Sequence, residues 1–113
     1  MNEREWYSVK CVFEIKLLTQ TALSAVYEER IVVLKARSLN NAIKQGLDEA
    51  REYEQSVGDG SIKYSGFISA YHTCEKEIAV KCEVFSMMRK SNLPLNEYLT
   101  HIYDDGNEIA QTV

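Results

Sequence analysis

The chain has 113 residues, of which 45% are hydrophobic and 27% are charged. This length and balance are typical of one globular domain and exclude a disordered chain. The net charge of -4 argues against duplex nucleic acid as a partner, because binding along a phosphate backbone needs a basic stripe. We therefore expect a single domain over residues 1–113, with its core at about 5–105 and a C-terminal tail at 106–113.

Hydropathy and cysteine usage indicate the compartment. No stretch approaches the roughly 20 apolar residues of a membrane-spanning helix, and the first residues lack the layout of a signal peptide. Cys11, Cys74 and Cys82 are an odd number within apolar strand patterns, which suits free buried thiols better than a disulfide framework. The sequence predicts a cytoplasmic protein with no membrane partner.

The N-terminal part predicts two antiparallel strands. From Trp6 to Leu17 apolar residues occupy the odd positions, which is the period of a half-buried strand. A β-branched run over residues 24–37 follows after a short polar interruption, at a distance typical of a hairpin.

A helix of about five turns should come next. Ser38 can accept a hydrogen bond at its N-terminus, and apolar residues recur at helical spacing up to Val57. Gly46 within this stripe costs about 1 kcal/mol relative to alanine, so we expect the helix backbone to approach the sheet closely there. Gly58-Asp59-Gly60 is a stop signal.

The second half predicts strand three at about 61–73, strand four at about 78–88 with a polar connection at 75–77, and a closing helix after Pro94. The expected fold class is therefore α+β in the order ββαββα. It has an antiparallel four-stranded sheet with helices packed mainly on one face.

Several short segments resemble a known family: Trp6-Tyr7-Ser8-Val9-Lys10, Tyr27-Glu28-Glu29-Arg30 with Ile31-Val32-Val33-Leu34, residues 42–50, Tyr64-Ser65-Gly66-Phe67, and Leu93-Pro94-Leu95-Asn96-Glu97-Tyr98-Leu99. Together they resemble a bacterial family catalogued as domain of unknown function 4288, over about residues 5–105. The resemblance implies a small protein of bacterial or phage origin. It carries over no catalytic residue.

Charged residues interrupt the second strand. Strict alternation places Glu28 and Arg30 on the same core-directed face as Val32. In one account, a β-bulge near Glu29 or a solvated edge turns the charges outward. In the other, a polar cluster forms at the sheet edge, where Arg30 pairs with a carboxylate or with an anionic ligand. Our hypothesis for function is that Arg30 binds a ligand anion.

Aromatic and other large apolar residues occupy the opposite face of the predicted sheet: Trp6, Val12, Phe67, Tyr71, Phe85 and Met87. Monomers seldom expose contiguous apolar patches beyond a few hundred Å². This face is therefore expected to be buried in a homodimer or to line a ligand surface; alternatively, the closing helix covers it.

Catalytic and metal-binding signals are weak. His72 and Cys74 are two positions apart on one predicted strand face, which suggests a Cys–His nucleophile, but no orienting third group or oxyanion site accompanies them. Asp104, Asp105 and Glu108 lack the spacing of a calcium loop and are interpreted as a solvated helix end. We predict no catalytic residue, no metal site and no cofactor.

Two functions remain. The leading one is a small non-enzymatic binding protein, a homodimer acting on itself or on a protein partner through a sheet face or edge. Its size and bacterial or phage origin, rather than any residue, suggest an immunity or anti-defence role. The alternative is a binder that sequesters a small anionic nucleotide. Its base would stack on Trp6, Tyr7 or Tyr64, and its phosphates would pair with Arg30, Arg51 or Lys63.

Overall fold

The computed structural model describes residues 3–16 and 26–102, with the side chain of residue 102 left aside. The elements in chain order are β1 (Glu5–Ile15), β2 (Val26–Ala36), α1 (Leu39–Val57), β3 (Ile62–Cys74) and α2 (Leu95–Ile102). The three strands form one antiparallel sheet in the order β2-β1-β3. The α+β class and the pairing of the first two strands are confirmed. No helix in these ranges is long and apolar enough to cross a bilayer.

The core lies between the sheet and α1. Strand β1 is central, and its odd-numbered side chains from Tyr7 to Phe13 are buried on the face that α1 covers, which we call the inner face. Phe13 is fully buried and packs edge-on against Tyr53 of α1, with ring centroids 4.9 Å apart. Ala42 and Ala50 of α1 are buried against the same cluster. The opposite side of the sheet is the outer face.

Helix α1 begins, ends and approaches the sheet most closely at the positions that the sequence predicts. The Ser38 hydroxyl accepts a hydrogen bond from the Asn41 amide at 3.0 Å, and Gly58 ends the helix in the left-handed conformation. A Cβ added to Gly46 would lie 2.6 Å from Cγ1 of Val9. The expected close approach at Gly46 is confirmed.

The predicted fourth strand is wrong, and the sheet has three strands rather than four. Residues 75–94 are irregular, so the element order is ββαβα and no second hairpin forms within the described residues. The chain turns where the Cys82 amide donates to the Ala79 carbonyl at 3.1 Å, and Lys81 has a φ of 67°, outside the strand region. Val80, which alternation assigned to a strand, is 91% exposed.

The closing helix is present but does not pack as expected. α2 begins directly after Pro94, as predicted, yet within the described ranges none of its Cα atoms lies within 8 Å of a Cα atom of β1, β2, β3 or α1. The expectation that helices cover one face of the sheet therefore holds for α1 only. The predicted helix end at residues 104–106 and the acidic cluster around it lie outside the described residues.

Candidate functional site

The charged residues of β2 lie on the inner face without any bulge. The pairing of β1 with β2 runs without interruption from Glu5 opposite Ala36 to Ile15 opposite Val26. The predicted bulge near Glu29 is therefore wrong. The irregularities of the sheet lie instead in the pairing of β1 with β3.

Arg30 and Glu28 form a polar cluster with α1. The Arg30 guanidinium pairs with the Glu49 carboxylate and lies over the ring of Tyr53, 3.9 Å from its centroid. The Tyr53 hydroxyl donates to Glu28 at 2.7 Å. The hydrogen bond to Glu49 raises the pKa of Arg30, and the hydrogen bond to Glu28 raises the pKa of Tyr53. We call these four residues the Arg30 cluster.

The charge balance of the Arg30 cluster limits what it can bind. It contains two carboxylates and one guanidinium, so it carries no surplus positive charge that would attract an anion. The Arg30 and Glu49 side chains are 27% and 31% exposed, so the pair is partly desolvated and partly screened. The arrangement ties β2 to α1, and a ligand anion at Arg30 would have to displace Glu49.

A second polar group is enclosed nearby. The Tyr64 hydroxyl is buried beside the Cys11 thiol and has no partner in hydrogen-bonding geometry among the described residues. Burial raises the pKa of Tyr64 to about 12 and also raises the pKa of Cys11. Both groups are therefore neutral at physiological pH. Since Tyr64 packs against Phe13, its ring is part of the core and does not face solvent as a stacking platform would.

The residues predicted to hold a nucleotide are not brought together. Tyr7 is buried on the inner face, whereas Trp6 lies on the outer face with the Lys35 ammonium 5.1 Å from its ring centroid. Arg51 is exposed on α1 and pairs with Asp48 at 3.4 Å. Lys63 borders an open depression of about 490 Å³ at the C-terminal end of α1. These positions are therefore spread over both faces of the sheet and two separate parts of α1.

The Cys–His pair is also separated. His72 lies opposite Tyr7 on the inner face, where the two rings are 4.9 Å apart and the His72 Nε2 is 3.3 Å from Glu5. Cys74 lies opposite Trp6, because the register shifts between these two pairs. The prediction that His72 and Cys74 share a strand face is wrong for that reason.

The outer face is covered at one end by the irregular segment after β3. Ser8 is fully buried there, and its hydroxyl is 2.6 Å from that of Thr73. The Thr73 hydroxyl lies 3.2 Å from the Val84 carbonyl, to which it donates. The rings of Tyr71 and Phe85 are 5.9 Å apart. Phe85 thus contributes to this face as predicted, although from an irregular segment and not from a strand.

The rest of the outer face, which includes its β2 edge, is open. Its exposed apolar residues are Tyr27, Ile31 and Val33 of β2 and Phe67 of β3, which we call the outer patch. Tyr27 is 62% exposed and Phe67 is 47% exposed. An ion pair joins Lys10 of the central strand β1 to Glu29 of β2, on the same face as the patch. The alternative that the closing helix covers this face is wrong, since in the described part of the chain no Cα atom of α2 lies within 8 Å of a strand.

A family model described as "Domain of unknown function (DUF4288)" matches residues 6–86. The chain belongs to this family. The DUF4288 match includes the three strands, α1 and the covering segment up to Ser86. The resemblance that the sequence analysis described was longer, because it ran over about residues 5–105 and included the segment Leu93–Leu99. No curated protein and no solved structure matches the chain.

The sequence alone did not identify the residues that contact Arg30 in this DUF4288 domain. Glu49 lies three positions after Gly46 and four before Tyr53, on the same side of α1. A carboxylate at that spacing was the available signal for an ion pair with β2. Among the described residues, no group of three or more His, Cys, Asp or Glu side chains is arranged to hold a metal ion.

Proposed function

We propose that this DUF4288 protein is a non-enzymatic, cytoplasmic binding protein that works as a homodimer through the outer face of its sheet. One observation carries the proposal. The chain has both an open apolar patch on its sheet and an amphipathic helix, α2, that lies apart from the other described elements and exposes Leu95 and Leu99.

The outer patch has the character of an interface. Ile31 and Val33 are two positions apart on the edge strand β2, so their side chains project together on the outer face. Contiguous exposed apolar surface on a small protein marks a binding site more often than a free surface. The ion pair of Lys10 with Glu29 adds polar specificity within the apolar surroundings.

Helix α2 supplies a matching surface. Leu95 is 74% exposed, and Leu93 and Leu99 are also exposed. The radius of gyration is 16.5 Å, whereas a compact domain of 100 residues has about 13 Å. Residues up to Phe85 lie against the end of β3, and α2 beyond them lies away from the body of the domain as an arm.

A second copy of the chain fits both surfaces. In a two-fold arrangement, α2 of each copy would lie on the outer patch of the other, so the same contact is made twice and both apolar surfaces of each copy are buried. Helix-on-sheet packing is a standard way to bury one apolar face of a sheet.

Light scattering coupled to size exclusion tests the proposal. The wild type should elute at twice the 13.0 kDa mass of one chain. Ile31→Lys should weaken dimerisation by more than tenfold, because burying the remaining half of an isoleucine gives about 1 kcal/mol and a symmetric interface contains it twice. Leu95→Asp on α2 should have a similar effect.

Val57→Lys is the matched control, because Val57 is as exposed as Ile31 but lies at the end of α1, away from the outer face. It should leave the dimer intact. A wild type that stays monomeric at every concentration contradicts the proposal. So does a dimer that Ile31→Lys and Val57→Lys weaken equally.

A further inference from the structure

Two of the three cysteines lie side by side. Cys74 is the last residue of β3, and the turn at Ala79–Cys82 brings the chain back beside it. The Cys82 sulfur is 3.9 Å from the carbonyl oxygen of Thr73, the residue before Cys74. The Cys74 sulfur is 3.4 Å from the carbonyl oxygen of Glu77, which precedes the turn, and Cys82 is close enough to raise the pKa of Cys74.

The surrounding contacts hold this arrangement. The Thr73 hydroxyl donates to the Val84 carbonyl, and Phe85 packs on Tyr71, so the returning chain is held against the end of β3. Both cysteines are half-buried, which leaves them accessible to a small reagent. Cys11 differs, because it is buried in the core under α1.

We propose that Cys74 and Cys82 form a reversible dithiol–disulfide site that a small-molecule disulfide oxidises. One protein thiolate attacks the reagent, breaks its sulfur–sulfur bond and releases one small thiol, leaving a mixed disulfide on the protein. The second protein thiolate then attacks the protein sulfur of that mixed disulfide and releases the second small thiol. The two protein cysteines lose two electrons, and the two protons they release end on the two small thiols.

Proximity favours the second step over a second mixed disulfide. The partner thiol is only eight positions along the chain, and short tethers give effective concentrations in about the millimolar range or above. Burial, followed by the hydrogen bond to Cys82, raises the pKa of Cys74. Its attack is therefore slow at neutral pH and accelerates as the pH rises.

Oxidation would fix the start of the covering segment, which leads to the arm. The disulfide would join the end of β3 to the first residues of the covering segment and close a loop over residues 74–82. The site lies wholly within residues 6–86, so it includes no residue of α2, and its test does not use the oligomeric state as a readout.

Oxidation of the full-length protein by oxidised glutathione, followed by alkylation and mass spectrometry, tests the proposal. The wild type should lose two hydrogen atoms, carry no glutathione and yield one cross-linked peptide pair containing Cys74 and Cys82. Cys74→Ser and Cys82→Ser should each retain one glutathione on the remaining half-buried cysteine. Cys11→Ser is the control and should form the disulfide as the wild type does.

Other products overturn the proposal. These are two glutathione adducts on one chain, a disulfide that includes Cys11, a disulfide between two chains, or no reaction at either half-buried cysteine. The wild-type peptide map alone shows whether the Cys74–Cys82 disulfide forms, even if a serine variant fails to fold. A control oxidation in urea should also yield pairings with Cys11, since the unfolded chain no longer shields that thiol.

Discussion

Gly46→Ala in α1 tests how tightly the helix is packed on the sheet. Alanine stabilises a helix interior by about 1 kcal/mol relative to glycine. The new methyl, however, would lie 2.6 Å from Cγ1 of Val9, which is buried on the central strand and is stiff because it branches at Cβ. Overpacking of this kind costs about 1–3 kcal/mol. We therefore expect a net loss of about 1 kcal/mol in the free energy of unfolding.

A double-mutant cycle isolates the clash. Val9→Ala alone should cost about 2 kcal/mol through the cavity it leaves. In that background Gly46→Ala should stabilise by about 1 kcal/mol, because the next nearest atom is the flexible end of Ile68 at 3.0 Å. The coupling energy is then about 2 kcal/mol. Urea unfolding at one fixed protein concentration measures all four proteins, and an equal effect of Gly46→Ala in both backgrounds would refute the reasoning.

Three further predictions concern the polar groups under α1. Tyr53→Phe should lower the free energy of unfolding in urea by about 1 kcal/mol, because it removes the hydrogen bond to Glu28. Tyr64→Phe should leave the free energy of unfolding unchanged or raise it, because the buried Tyr64 hydroxyl has no hydrogen-bond partner among the described residues. The pKa of Tyr64 is raised to about 12 in the folded protein, so the stability that depends on its neutral form is complete below pH 10 and is lost as the pH rises towards 12. Tyr64→Phe should reduce this alkaline loss of stability. An unchanged dependence of the free energy of unfolding on pH would contradict the prediction. Arg30→Ala should cost about 1–2 kcal/mol by leaving two carboxylates without their cation, while Arg51→Ala, at an exposed pair, should cost less than about 0.5 kcal/mol.

The elements with strong local signals were predictable. The alternation in β1 and the cap and stop signals of α1 depend on neighbouring residues only, and both elements appear where the sequence placed them. Gly46 was informative because a glycine within an apolar helix stripe has few physical explanations. Only the ends of the strands shifted, by one or two residues.

The remaining features depend on contacts between distant residues. Residues 78–84 alternate as a strand would, but a strand also needs a partner edge, and here hydrogen bonding to Thr73 and a left-handed residue at Lys81 direct the chain elsewhere. Arg30 looked like a ligand-binding residue because its partner Glu49 is 19 positions away in another element. The separation of His72 from Cys74 depends on a register shift that no local pattern encodes.

The central position of β1 determines the order in which the sheet can assemble during synthesis. β1 leaves the ribosome first and can pair with β2 as a local hairpin, but its second partner is β3, whose contact through Ser8 and Thr73 spans 65 residues. Contacts of such long range slow folding, and an unpaired strand is prone to associate with other chains in the meantime. Until residue 74 has been made, one whole edge of β1 has no partner strand. Substitutions that weaken the docking of β3 should therefore reduce the yield of folded protein more than they reduce the stability of the finished domain.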